Sequence, residues 1–483
     1  MPAAILAAAA AGLAMAIVAT DQAPLRAAPR ASAPAQAQLW QGEVLEVRGE
    51  RLDYLQVWDH RRERGGYVRA SQVRRTGLTA AEAPGLLAVL RFLRESPGTE
   101  SLGIGLAAAY LQAAPAEALR GPDGADALDA LGSFADRLAQ RASSSGAAGR
   151  TAQAALSAHL EVASQYGVKF DSYEQGGAVR ICYDGDAFAR LLALPARAPQ
   201  KARAALALTR PECLDPALQP LQRHQRNLWR AEVLDQVDAQ DLPDYLRNRI
   251  ALRRASVWST LAYEQARRGE PALAAAQRAL AELASVRQGE LAEEDLPSWN
   301  DAAMRVNASR WAAVPASGTV RDPARPAILT QPGQPGETCV LLVDGRHDAD
   351  HPLAKRCTYA LVWPQSASLD REGNALALAV QPLEAWRELW LFRRRGGAWT
   401  VDVLPPASLQ PGLGYAEFAG WVPGGRQMLV AREARGEGRH RRSFEVVGVD
   451  SLATVRQSGD PSAPGPFQRW QDPAWKRMTV SLR

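Results

Sequence analysis

A chain of 483 residues with 47% apolar and 23% charged side chains is longer than one hydrophobic core usually organises and too apolar to be mainly disordered, so about two to four folded domains are expected. The net charge of +5 is small for that length, and the basic residues are nearly all arginines scattered among alanines. No element concentrates them as a nucleic-acid face would, which argues against a nucleic-acid partner.

Residues 2–19, PAAILAAAAAGLAMAIVA, form an apolar run of signal-peptide or short-anchor length. Residues 1–20 are therefore read as an export signal or N-terminal anchor, with Val18, Ala19 and Thr20 as the small-residue cleavage site, although no Lys or Arg precedes the run. Either option places the rest outside the cytoplasm, most simply in the periplasm, with membrane contact only through this segment. Four cysteines suit an oxidising compartment. Cys182 with Cys213, and Cys339 with Cys357, are sequence neighbours, and nearest-neighbour bridging is the choice among three connectivities. A four-cysteine zinc site would need CxxC spacing, which is absent.

Residues 21–76 alternate the β-like runs GEVLEVRG, LDYLQVWD and YVRASQV with the charged turn HRRERGG, a hairpin pattern. On the middle strand Leu55 and Val57 share one face, and Tyr54, Gln56 and Trp58 the other; one of the two must be core. Leu25, Arg26 and Pro29, then 42–47, 54–58 and Gly66-Tyr67-Val68 resemble the strand motifs of bacterial SH3 domains, with Tyr67 where that family more often carries Trp. The resemblance covers about an eighth of the chain. It implies a small β-barrel that binds peptidoglycan peptides or protein segments through an aromatic-lined groove, with Tyr54, Trp58 and Tyr67 as contacts. The competing reading packs those rings inside the barrel.

Over 77–315 apolar residues recur at three and four spacing, the helical period, as in APGLLAVLRFLRES, ESLGIGLAAAYLQAA, ALDALGSFADRLAQRA and TAQAALSAHLEVASQYG, with ASSSGAAG at 142–149 as a connection. VKFDSYEQGGAVRICY breaks the period and predicts a hairpin near 168–182. Longer helices follow Cys213; one is stopped by Gly269, and the next opens at Pro271. Trp258, Leu261, Ala262, Gly269, Ala274 and Ala281 in this pair resemble a tetratricopeptide unit. No self-similarity at that family's period of about 34 residues runs through the region, so 77–315 is expected as one all-α domain, a bundle or hairpin stack.

The proline-rich residues 316–337 are read as a linker and domain boundary. From 338 to 483 strands follow in quick succession, the last two being FQRW and KRMTVSL, and the segments at 368–380, 420–431 and 469–482 recur at a spacing of about fifty residues, the size of a propeller blade. Trp421, Val422, Pro423, Gly424, Gly425 and Arg426 resemble the core of TolB-type, WD40-like repeats; Asp370 with Gly373, and Trp470 with Asp472, keep fragments of it. The resemblance implies a propeller-like domain. With two copies and a fraction, against the four or so blades closure needs, a curved antiparallel sheet stands beside it. The fold class is thus multi-domain α and β: an SH3-like barrel, a helical middle and an all-β end whose seven tryptophans are mainly packing.

Candidate chemistry is sparse. In DGRHDADH, 344–351, the residues His347, Asp348, Asp350 and His351 are possible metal ligands, set against the reading of a solvated loop between bridged strands. The run ARGEGRHRR, 435–442 with Ala434, reads as a hairpin tip. Gly103-Ile104-Gly105 lacks the preceding strand a phosphate loop requires, and no Gly-x-Ser-x-Gly or Ser-x-x-Lys motif is present. No cofactor and no catalysis are expected. The function predicted is a non-catalytic envelope binding or scaffolding protein with a peptidoglycan or protein partner; the alternative is an envelope hydrolase targeted by its SH3-like module.

Overall fold

The computed structural model describes residues 14–144, 149–175, 177–315, 322, 324–408, 412–436, 438–462, 465–473 and 475. The chain divides into two compact units, Met1–Gln219 with Val233–Leu242, and Pro220–Glu232 with Pro243–Arg483.

The first unit opens with seven short strands, β1 (Met15–Val18), β2 (Ala23–Arg26), β3 (Ala35–Leu39), β4 (Val44–Arg51), β5 (Tyr54–Asp59), β6 (Arg64–Arg69) and β7 (Val73–Thr76). They form an antiparallel sheet in the order β3-β2-β6-β5-β4-β1-β7. Alternation sends Ala16, Val18, Leu25, Leu45, Leu55, Val57 and Val68 to a common core, so the Leu55/Val57 face is the interior one. Strand β1 lies between β4 and β7, and its opposite face carries Ile17 into a second core with Leu90, Ile104 and Phe134. The end of the segment read as an export signal is therefore a strand buried on both faces. Cleavage at Val18 to Thr20 would remove it, and the sheet begins at Met15 instead of residue 21. The first thirteen residues of that segment lie outside the described residues.

Helices α1 (Ala83–Leu93), α2 (Glu100–Ala113), α3 (Ala116–Arg120), α4 (Pro122–Ser144) and α5 (Arg150–Gln165) follow, then the hairpin of β8 (Phe170–Gln175) and β9 (Ala178–Tyr183) where the broken period predicts one, then α6 (Asp186–Leu192) and α7 (Ala198–Leu208). Gly103 and Gly105 lie within α2. A Cβ at Gly103 would sit 2.4 Å from the Phe134 ring, so this glycine admits a packed aromatic and has no loop role. The acids of α4 meet arginines in sequence order: Asp126 pairs with Arg197, Asp129 with Arg203 and Asp136 with Arg210. Arg91 of α1 and Arg94, just past its end, reach Asp126 and Asp129 as well.

In the second unit α8 (Pro220–Asp235) contributes its first part, followed by α9 (Asp244–Arg267), α10 (Leu273–Ser285) and α11 (Leu296–Ser309). Ala251, Leu252 and Ala255 of α9 pack on Ala279 and Leu283 of α10, and the turn between them is a Schellman cap. Glu270 N–H donates to the Gln265 carbonyl and Gly269 N–H to the Ala266 carbonyl, with Gly269 at φ +71°. That left-handed conformation favours glycine. Gly269→Ala is expected to lower stability by about 1 kcal/mol, measurable as a shift in the denaturant midpoint at unchanged slope.

Three antiparallel meanders succeed one another: β10 (Ala327–Pro332), β11 (Thr338–Val343) and β12 (Ala354–Thr358); β13 (Leu361–Leu369), β14 (Ala375–Leu383), β15 (Trp386–Arg395) and β16 (Ala398–Leu404); β17 (Leu413–Trp421), β18 (Gln427–Gly436), β19 (Arg439–Gly448) and β20 (Thr454–Ser458). The last two join through a short parallel contact of β15 with β17. The first two sequence repeats fall on equivalent turns, between the first and second strands of consecutive four-stranded meanders. Strand β14 is buried on both faces: Leu376, Leu378 and Val380 pack with Val340 and Leu342, while Ala375 and Ala377 pack with Ala416 and Val430. The described strands do not close into a ring; their path ends at β13 and β20. Among the seven tryptophans, Trp363, Trp386, Trp390 and Trp475 are buried and Trp470 is exposed.

Several expectations are corrected. The helices of 77–315 do not form one domain, because each group covers its apolar face with a sheet: Ile17 of β1 shares a core with α1 and α2, and Met304 of α11 shares one with Leu413, Tyr415 and Phe444. The chain accordingly divides near 219–243 and not at the proline-rich segment. Within that segment AILTQP is strand β10, whose Pro332 stands at the end of an outer strand, where a missing N–H is tolerated. FQRW belongs to helix α12 (Gly465–Trp470), and KRMTVSL lies outside the described residues.

Candidate functional site

Period-two alternation and the strand register build one outward face on the N-terminal sheet. Opposite the core, three cross-strand rows are set side by side: Glu46, Trp58 and Gly65; Gly49, Gln56, Tyr67 and Arg26; Arg51, Tyr54 and Arg69. The three predicted aromatics therefore share one face. Trp58 and Tyr67 are partly exposed, whereas Tyr54 is only 2% exposed, with Arg69 Nε donating to its hydroxyl at 3.1 Å. The Arg48 guanidinium lies 4.4 Å from the Trp58 ring centroid and pairs with Glu46, which also meets His60 Nε2 at 2.6 Å. The Arg48 hydrogen bond, with help from His60, holds the Glu46 carboxyl below its ordinary range. Flat rings edged by fixed charges suit contact with a polar chain that has apolar side groups.

The histidine-rich loop does not assemble a metal site. Asp344 Oδ1 accepts from the backbone N–H of Arg346 and His347 and lies 2.8 Å from His347 Nδ1. Asp348 Oδ1 likewise accepts from the N–H groups of Asp350 and His351, and the His351 side chain is 88% exposed. Each aspartate closes its own turn, so His347, Asp348, Asp350 and His351 do not converge. Among the described residues one group, Glu337 with Cys339 and Cys357, has metal-like spacing, but its two sulfurs are bonded to each other. The sulfurs lie 1.95 Å apart in that pair and 2.05 Å apart between Cys182 and Cys213, the nearest-neighbour pairing. In the run at 435–442 Arg435 pairs with His440 and Gly436 with Arg439, at the end of the β18–β19 ladder.

A second site in the same unit went unnoticed in the sequence. A cavity of about 580 Å³ opens where the C-terminal half of α4 meets β9 and the Cys182–Cys213 bridge. Arg137, Arg141, Arg180 and Arg210 line it with Glu100 and Glu212. Arg141 and Arg137 share Glu100, while Arg210 pairs with Asp136, which does not line the cavity, and approaches Glu212 at 3.6 Å. These arginines come from α4, β9 and the loop after α7 and are hidden among the many others in the sequence; no motif announces them.

No helix among the described residues is long and apolar enough to cross a membrane. Compared with protein-family models, curated proteins and solved structures, the chain matches none.

Proposed function

We propose that this chain is a non-catalytic binding protein of the cell envelope, and that the outer face of its N-terminal sheet takes a peptide, either a peptidoglycan stem peptide or an extended segment of a protein partner. The observation that carries the reading is the gathering of Tyr54, Trp58 and Tyr67 on one face, with Trp58 and Tyr67 partly exposed and ringed by Arg26, Arg48 and Glu46. The two closed disulfides support an oxidising compartment, and the apolar residues ahead of β1 retain the composition of an export signal. The stacked meanders of the second unit offer further surface of the propeller-like kind.

Co-sedimentation with purified peptidoglycan sacculi tests this. Trp58→Ala and Tyr67→Ala should each weaken binding by about five- to tenfold, the value of one lost aromatic contact, with thermal stability nearly unchanged. Equal retention of wild type and variants would remove the assignment of the face, and release of soluble muropeptides by the wild type would favour the hydrolase.

A further inference from the structure

We propose that the arginine-lined cavity beside the Cys182–Cys213 bridge is a binding site for a small oxyanion ligand, bearing a carboxylate or a phosphate group. The site is separate from the aromatic face and independent of that reading.

Charge supplies the first argument. Four guanidinium groups line the cavity against two carboxylates; counting also Asp136, the partner of Arg210, the arginines exceed the carboxylates by one. Arginine cannot shed its proton to relieve this. The second argument is an unsatisfied donor. Arg137, whose side chain is 29% exposed, gives one Nη to the Arg94 carbonyl and turns Nε toward Glu100 at 3.5 Å, but neither Nε nor Nη2 has a hydrogen-bond partner. Arg180, on β9, has no ion pair among the described residues. The unpaired Arg137 donor is costly unless something accepts from it, whereas the exposed Arg180 adds charge at the rim.

The remaining polar groups are already committed. Ser143 Oγ lies within hydrogen-bond distance of the Ala139 and Ile181 carbonyls and accepts from Ile181 N–H; Ser144 Oγ donates to the Gln140 carbonyl; Gln140 Nε2 donates to Asp136. What the cavity offers a ligand is therefore guanidinium N–H groups, whose planar fork matches carboxylate and phosphate oxygens. Its volume exceeds a bare ion and is that of a metabolite-sized molecule. The disulfide fixes the walls, since Cys182 is two residues from Arg180 and Cys213 three from Arg210.

Calorimetric titration of the intact oxidised chain with inorganic phosphate and, separately, with glutarate tests the proposal. Saturable binding of at least one probe is expected, with Kd below about 1 mM and a matching rise in unfolding temperature; which probe binds tells phosphate chemistry from carboxylate. Arg180→Gln, at an exposed position, should weaken that binding about tenfold without altering stability, and Arg137→Gln should weaken it at least as much. Arg395→Gln, far along the sequence on β15, should leave it unchanged. Binding of neither probe, or equal losses in Arg180→Gln and Arg395→Gln, would overturn the site.

Discussion

Glu417→Gln is expected to destabilise the second unit by about 3–5 kcal/mol. Glu417 of β17 lies between Arg387 of β15 and Arg310 at the end of α11, and the three side chains are 2%, 0% and 3% exposed. Arg387 also donates to the Asn307 carbonyl at 2.7 Å, so the cluster fastens the helix end to the sheet. Two buried cations around one anion tolerate no loss of that anion, because each guanidinium would then face a low-dielectric interior unpaired. Burial pushes the Glu417 carboxyl up, but Arg310 and then Arg387 outweigh it and hold it below its ordinary value. A carboxyl depressed in the folded state adds stability that is complete above its unfolded pKa and fades as pH falls through the folded one. The wild type should therefore begin to lose this contribution as pH falls below the ordinary glutamate range, and Glu417→Gln should lack that part of the acid dependence. Chemical denaturation followed by tryptophan fluorescence at neutral and acid pH reads both effects. An unchanged midpoint in Glu417→Gln would show that the cluster is not holding helix to sheet.

Ile17→Asp is expected to prevent folding of the first unit. Ile17 is 2% exposed and sits in the helical core, while its neighbours Ala16 and Val18 sit in the sheet core. No face of β1 is available to solvate a carboxylate, and the cost of burying one there exceeds about 4–5 kcal/mol, comparable with the whole stability of many domains. Val179→Asp, at an exposed position of β9, should change stability by no more than about 0.5 kcal/mol. Far-UV circular dichroism with limited proteolysis distinguishes the two. Retained protease resistance of 14–219 in Ile17→Asp would mean that β1 is dispensable.

Local patterns were legible in the sequence; partnerships were not. Alternation around Leu55 and Val57, three-and-four spacing in the helices and the Gly269 stop each depend on a few adjacent residues, and each appears as read. The two disulfides were also readable, since both close short loops. Which apolar face covers which depends on contacts across long stretches of chain. Nothing near Met304 announces that it packs on Leu413 and Phe444, and nothing in the alanine-rich run around Ile17 distinguishes a translocated segment from a central strand. The same holds for the sites. Tyr54 and Trp58 could be assigned to one face from strand period, and Tyr67 joined them only through the resemblance to bacterial SH3 domains, but the burial of Tyr54 required its Arg69 partner to be seen. The arginine cavity draws side chains from α4, β9 and the loop after α7, and an arginine-rich sequence gives no reason to single them out.

The ion pairs between α4 and α7 carry a consequence for how alanine-rich helices find their places. Ala127 and Ala130 on one helix and Ala202, Ala204 and Ala205 on the other are buried, and methyl groups alone present a nearly smooth surface that would fit in several alignments. Asp126, Asp129 and Asp136 meet Arg197, Arg203 and Arg210 in the same order along both segments, so sliding by a single turn would break all three pairs at once. The pairs act as index marks: their main effect is to make all but one alignment prohibitive, more than to deepen the one that is adopted.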